Sequence, residues 1–174
     1  TPVYRAEDCL EELYRRLVSV LPGIAQGFEI IMVEDCGGDR SWEIIQSLAQ
    51  RDPRVKGIQF SRNFGQHYGI TAGLDHCDGD WVVVMDCDLQ DRPEDILLLY
   101  AKAREGYDIV QATRRAEPTA SWFKQVTARA FYALINRLSA TRIEPAAADF
   151  RLLSRRVVEI FKQDLRERDR FVRG

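Results

Sequence analysis

Apolar residues recur along this chain with two different periods, and the alternation between those periods divides it into elements. In "EDCLEELYRRLVSVL", residues 7–21, Leu10, Leu13, Tyr14, Leu17 and Leu21 stand three or four apart, with acids early and arginines later. That spacing predicts an amphipathic helix. "FEIIMVED" (28–35) is nearly continuous in its apolar content and predicts a strand buried on both faces. Ser41 reads as the N-cap of a helix through Gln50. "VKGIQFS" (55–61) reads as a second strand, "GQHYGITAGLDHC" (65–77) as a helix and "DWVVVMD" (80–86) as a third strand. Pro93 fits the first turn of a helix, "PEDILLLYAKAREG", that ends at Gly106, and "YDIVQAT" (107–113) is a further strand. Residues 121–139 predict another helix, and "AAADFRLLSRRVVEIF" a short strand or turn at 148–153 followed by a helix. Strands alternating with helices place the chain in the α/β class, with a mostly parallel sheet flanked by helices on both faces. A doubly wound sheet would require a strand before the first helix, yet the chain opens on "TPVY", and it closes at "RFVRG" without a finishing element. The expectation is a single domain over 1–174 that is cut at both ends.

Composition narrows the class. The 174 residues, 45% hydrophobic and 30% charged, fit one globular domain with its own core. No apolar run approaches the roughly 18 residues that span a bilayer, and the first residues lack the basic-then-apolar order of a signal peptide. Cys9, Cys36, Cys77 and Cys87 form no Cys-x-x-Cys pair, so neither a zinc site nor a disulfide framework is indicated, and reduced thiols in a cytoplasmic setting are expected. The net charge of −2 conceals an asymmetry. From Arg114 onward 12 Arg and 2 Lys face 7 acidic residues, a net +7, whereas the first 113 residues hold 11 basic and 20 acidic residues, a net −9. An acidic half able to hold a cation and a basic half able to meet phosphates or an anionic surface is one reading; ordinary solvated helix faces are the other.

Ligands of open parallel sheets bind beyond the carboxyl ends of the strands. Asp35 follows the strand 28–34, and Asp86 and Asp88 follow the strand 80–85, which puts three carboxylates on one edge. Close carboxylates raise one another's pKa unless positive charge lies between them. A hard divalent cation such as Mg²⁺ or Mn²⁺ supplies that charge and keeps positions open for substrate phosphates. An Asp pair that caps the following helix is the alternative. A phosphoreceiver domain uses similar pieces, but it needs a lysine after its last functional strand, and none of Lys56, Lys102, Lys124 and Lys162 stands at the end of "YDIVQAT". Neither Gly-x-x-x-x-Gly-Lys-Ser/Thr nor Gly-x-Gly-x-x-Gly is present, which disfavours a P-loop or a dinucleotide fold. His67 and His76 fall on helix positions expected to pack beside the sheet.

The stretches "PVYRAED", "VEDCGGDRS", "FSRNFGQHYGITAGLDHCDGDWVVVMDCDLQDRPED" and "ADFRLLSRRV…RDRFVRG" together resemble family-2 glycosyltransferases of the polyprenyl-phosphate class, which includes dolichol-phosphate mannosyltransferase and bacterial bactoprenol glucosyltransferases. The resemblance implies an A-type glycosyltransferase fold, Rossmann-like, that binds a UDP- or GDP-linked sugar through its first half. Pro2 and Tyr4 match positions lining the nucleoside pocket, Asp35 the aspartate that meets the base, and Asp86, Asp88 and Gln90 the ligands of Mg²⁺ or Mn²⁺. Asp149 matches an acidic residue near the reaction centre, where it serves as a base or only orients groups, since an acceptor phosphate is already ionised. Arg114, Arg129, Arg170 and Arg173 match basic positions near phosphate, where guanidinium forks suit its oxygens.

The implied reaction is an inverting, metal-assisted transfer of one sugar from a nucleotide diphosphate to a polyprenyl phosphate at the cytoplasmic face of a membrane. Nucleic acid is not an expected partner, and a homo-oligomer stays open. Competing classes are a phosphoreceiver module, a nucleotidyltransferase on a similar fold and a donor-binding module without activity. Two departures from the family's pattern bear on the donor side: Arg5-Ala6 stands where Asn-Glu is usual, and Asp35-Cys36-Gly37 where Asp-Gly-Ser is usual. The Gln-x-x-Arg-Trp element of processive polymerases is missing, which implies a single transfer. Relatives of this class often continue into membrane-associated helices, so the chain reads as the catalytic portion of a membrane-associated enzyme.

Overall fold

A computed structural model describes residues 1–113 and 147–163; the expected helix at 121–139 lies outside the described residues. The elements are β1 (Pro2–Val3), α1 (Leu10–Val20), β2 (Ile30–Glu34), α2 (Ser41–Arg51), β3 (Val55–Gln59), α3 (Gln66–Asp75), β4 (Trp81–Val84), α4 (Ile96–Ala103), β5 (Ile109–Thr113), β6 (Ala147–Ser154) and α5 (Arg155–Gln163). A 3-10 turn at Pro93–Asp95 leads into α4, as expected of a proline that fixes φ in a first turn.

Strands β1, β2 and β3 form a parallel sheet in which Pro2 pairs with Val33 and Ile30 with Val55. In a second sheet β6 lies between β4 and β5 and runs antiparallel to both, with Val84 opposite Arg151 and Ile109 opposite Leu153. The α/β class with a parallel sheet agrees with the sequence reading. The short strand or turn expected at 148–153 is instead an eight-residue strand bonded along both edges.

Burial explains the layering. In β2 the side chains alternate between two cores: Ile30 and Met32 join one cluster, Ile31 and Val33 the other. The first cluster takes Leu10, Leu13 and Leu17 of α1, Ile45 and Leu48 of α2, and Ile96 and Leu99 of α4. The second takes Ile70 and Leu74 of α3 and Val158 of α5. β6 divides in the same way, with Leu152 in the first cluster and Leu153 in the second. Each fully buried leucine contributes about 1.5–3 kcal/mol relative to exposure, so the stripe on α1 alone is enough to hold that helix on the sheet. A cavity of about 490 Å³ between β2 and β4 is lined by Ile30, Ile31, Leu74 and Val82, among others, and by none of Asp35, Asp86 and Asp88.

Three local expectations are corrected. Pro2 and Val3 pair with β2 as a strand, so the chain does not open directly on a helix. Ser41 is the first residue of α2 rather than its N-cap: its hydroxyl accepts the Ala6 amide (3.0 Å) and donates to Asp39 Oδ2 (2.8 Å), tying the turn after β1 to the turn after β2. His76 stands exposed just past α3, its Nδ1 2.8 Å from the Ala72 carbonyl oxygen, and does not pack beside the sheet. Among the described residues no helix is long and apolar enough to cross a membrane.

Candidate active site

The turns at the carboxyl ends of β1, β2 and β4 meet around a hollow of about 300 Å³ lined by Tyr4, Asp35, Asn63, Gln66, Asp86 and Asp88, among others. Two of these turns hold residues in left-handed backbone conformation, Arg5 at φ 49° and Cys36 at φ 55°. Gly37 completes their contact, because a Cβ there would stand 2.7 Å from the Arg5 amide nitrogen. The Arg5 Nε in turn donates to the Gly37 carbonyl oxygen at 3.1 Å.

Asp35 is 3% exposed and spends its carboxylate on the turn before α3: Oδ1 accepts the Phe64 amide at 2.6 Å and Oδ2 the Gly65 amide at 2.8 Å. This fixes the start of α3, where Gly65 adopts φ 97° and ψ 159°, a backbone conformation open essentially to glycine alone. We expect Gly65→Ala to lower stability by about 1–3 kcal/mol, measured by urea unfolding, and to disturb the hollow through Gln66, the next residue.

Gln66 is where the second set of carboxylates converges. Its Nε2 donates to Asp86 Oδ1 at 2.6 Å and to Asp149 Oδ2 at 3.2 Å. Asp149, on β6, also accepts from Arg151 Nη2 at 3.2 Å, and both side chains of that pair are buried. Asp86 is half-buried, and its pKa is raised first by that burial and second by the charge of Asp149; the Gln66 hydrogen bond acts in the opposite direction. Asp88 is exposed, with Oδ1 accepting the Gln90 amide at 3.0 Å. Cys87 between them is buried and packs into the first core cluster, so Asp86 and Asp88 line the hollow without it blocking them. Leu89 follows at φ 62° and turns the chain toward the 3-10 turn, which Arg16 of α1 holds through a two-pronged ion pair with Glu94.

The rim is aromatic. Tyr4 is 47% exposed, and Phe64 and Tyr68 stand exposed with ring centroids 6.1 Å apart. The guanidinium of Arg62 lies 4.7 Å from the Phe64 ring centroid. The geometry therefore gathers Pro2, Tyr4, Asp35, Asp86 and Asp88 around one hollow and brings Asp149 to it through Gln66. Gln90 stands exposed on the turn just after Asp88. Arg114, Arg129, Arg170 and Arg173 lie outside the described residues. Gln66 and Arg151 were not singled out from sequence. The available signals were a glutamine opening a helix at the carboxyl edge, and the two-residue spacing that puts Asp149 and Arg151 on one face of β6.

Among the described residues no three His, Cys, Asp or Glu side chains form a closed metal cage. The donor set is all oxygen and open on one side, which fits Mg²⁺ or Mn²⁺ held by one or two carboxylates and completed by substrate phosphates, and does not fit zinc.

Comparison with known proteins agrees with this architecture. Over 173 residues, 99% of the chain, it is 44% identical to an uncharacterized glycosyltransferase of Synechocystis, covering 54% of that protein. It is 39% identical over the same share to the bactoprenol glucosyl transferase of Shigella phage SfV, covering 56% of it. The chain thus spans about half the length of the curated relatives it matches. A mannosyltransferase from Pyrobaculum calidifontis, solved with GDP-Man and Mn²⁺, superposes with a TM-score of 0.62 at 19% identity over 91% of this chain and 44% of its own, which shows the same fold. The family model described as glycosyl transferase family 2 matches residues 1–161, and the chain belongs to that family.

Proposed function

We propose that the protein transfers one sugar from a UDP- or GDP-linked donor to a polyprenyl phosphate, with inversion at the anomeric carbon. The observation that supports this best is the hollow at the strand ends, which Asp86 and Asp88 line beside the exposed Tyr4 and to which Gln66 joins the buried Asp149. The similarity to a bactoprenol glucosyl transferase over nearly the whole chain favours a lipid phosphate as acceptor.

In this reading Tyr4 and Pro2 flank the nucleoside. Asp35 holds the turn that shapes the pocket, and each of its oxygens keeps a second lone pair for the base. Asp86 and Asp88, with Gln90, hold the cation. A bound Mg²⁺ or Mn²⁺ supplies the positive charge that offsets the departing nucleoside diphosphate. Asp149, paired with Arg151, orients the acceptor side, and Arg114, Arg129, Arg170 and Arg173 of the basic half bind the acceptor phosphate near an anionic cytoplasmic membrane surface.

The test is release of UDP or GDP by the full-length protein in Mn²⁺, across a panel of nucleotide-sugars with and without a short polyprenyl phosphate. Release from one donor that depends on the acceptor is the expected result. Donor binding without release would mark a binding module. Acetyl phosphate adding one phosphoryl mass to Asp86 or Asp88 would mark a phosphoreceiver. Replacing Arg129 or Arg170 by Ala should raise the acceptor KM or lower kcat and leave donor affinity near wild type. Loss of donor affinity with unchanged acceptor kinetics would overturn the division into donor and acceptor halves.

A further inference from the structure

The carboxamide of Gln66 occupies the point where two negative side chains from different elements meet. Asp86 comes from the turn after β4 and Asp149 from β6, and the hydrogen bonds of 2.6 and 3.2 Å leave from one nitrogen, whose two protons serve one carboxylate each. Nothing about the start of a helix requires this, because the first turn of α3 already has its backbone fixed by Asp35 through Phe64 and Gly65. The contacts continue from Asp149 to Arg151 at 3.2 Å, so a line of four side chains, Arg151, Asp149, Gln66 and Asp86, joins the buried guanidinium to the edge of the hollow.

We infer that Gln66 is a positioning residue, a neutral two-proton fork that fixes Asp86 for the cation and Asp149 for the acceptor side at the same time. The inference rests on the function proposed above. A fork of this kind suits the task for a physical reason. A lysine here would cancel one of the negative charges the cation needs, and a carboxylate would add a third. A side chain without N–H donors would leave Asp86 and Asp149 to repel each other and swing to other rotamers. Groups that orient a metal ligand through a hydrogen bond commonly contribute 10–100-fold in metal affinity or activity.

The substitutions that separate this role from a plain helix-start role are Gln66→Ala, Gln66→Asn and Gln66→Glu, studied in the full-length protein by Mn²⁺ titration with electron paramagnetic resonance, by thermal melting and by steady-state kinetics. Gln66→Ala should weaken Mn²⁺ binding at least tenfold and lower kcat with little change in melting temperature. Gln66→Asn keeps the amide and shortens its reach, so it should behave like the alanine variant. Gln66→Glu is isosteric and adds negative charge at a helix N-terminus, where it favours the helix. Its added charge should offset part of the lost positioning of Asp86 in Mn²⁺ binding, while kcat still falls at least tenfold, because an ionised carboxylate can donate to neither Asp86 nor Asp149. A Gln66→Glu variant with wild-type kcat, or alanine and asparagine variants with unchanged Mn²⁺ affinity, would overturn the proposal. Asp86→Asn serves as the control. If it too leaves Mn²⁺ binding unchanged, the metal assignment fails; if it abolishes binding while the Gln66 variants do not move, only the role of Gln66 fails.

Discussion

Asp86→Asn is expected to abolish Mn²⁺-dependent donor binding and to leave the protein folded. The residue is half-buried on a turn past the last hydrogen-bonded residue of β4, so its side chain contributes little to either core. Its ionised form is held against two opposing effects, burial and the neighbouring charge of Asp149, and a neutral amide relieves both. Stability should therefore stay level or rise slightly. Function should not survive, because an amide oxygen is a far weaker ligand for a hard cation than a carboxylate, and the charge on a departing diphosphate then goes uncompensated. Loss of that charge stabilisation corresponds to several kcal/mol, or roughly 10²–10⁴-fold in kcat/KM. Calorimetric titration of Mn²⁺ with donor, beside a melting curve, checks both halves; unchanged titration heats would remove Asp86 from the metal site.

The second large effect is on stability. Asp149→Leu should destabilise the protein by about 3–5 kcal/mol, because it removes the carboxylate beside Arg151, whose side chain is 8% exposed. A buried guanidinium deprived of this counter-charge costs more than an apolar pair of the same volume. The double variant Asp149→Leu with Arg151→Met should accordingly regain most of the lost stability while activity stays absent. Denaturant unfolding of the two single variants and the double variant measures the coupling directly. Simple additivity of the two singles would show that the ion pair is not the reason these residues are buried together.

Much of the architecture is legible in the pattern of apolar residues, since β2 needs apolar side chains on both faces and shows four in a row from Ile30 to Val33, with Phe28 just before the interrupting Glu29. Helix α1 is equally plain, because Leu10, Leu13 and Leu17 are the residues that fall completely or almost completely out of solvent. Edges and directions are less so. Pro2 and Val3 are too few to carry a period, and their strand exists because β2 offers an unpaired edge. The direction of β6 cannot be read from "AADFRLLS", since an apolar run looks the same in either orientation, and its place between β4 and β5 is set by pairing across the sequence. The three carboxylates at the strand ends follow from topology alone, but the use of Asp35 does not: hydrogen bonds to the Phe64 and Gly65 amides depend on how the β3–α3 turn folds back. Gln66 was hidden for the same reason, because its importance lies in contacts to residues 20 and 83 positions away.

The central claim is that one sugar passes from a nucleotide donor to a lipid phosphate. Its most direct test is the mass of the product extracted into organic solvent after incubating the full-length protein with Mn²⁺, its preferred nucleotide-sugar and undecaprenyl phosphate. The account predicts a single new species heavier than the acceptor by one sugar residue, joined through the phosphate and absent with Asp86→Asn. A product carrying several sugars, or sugar recovered on a protein or saccharide acceptor while the lipid phosphate returns unchanged, would contradict it.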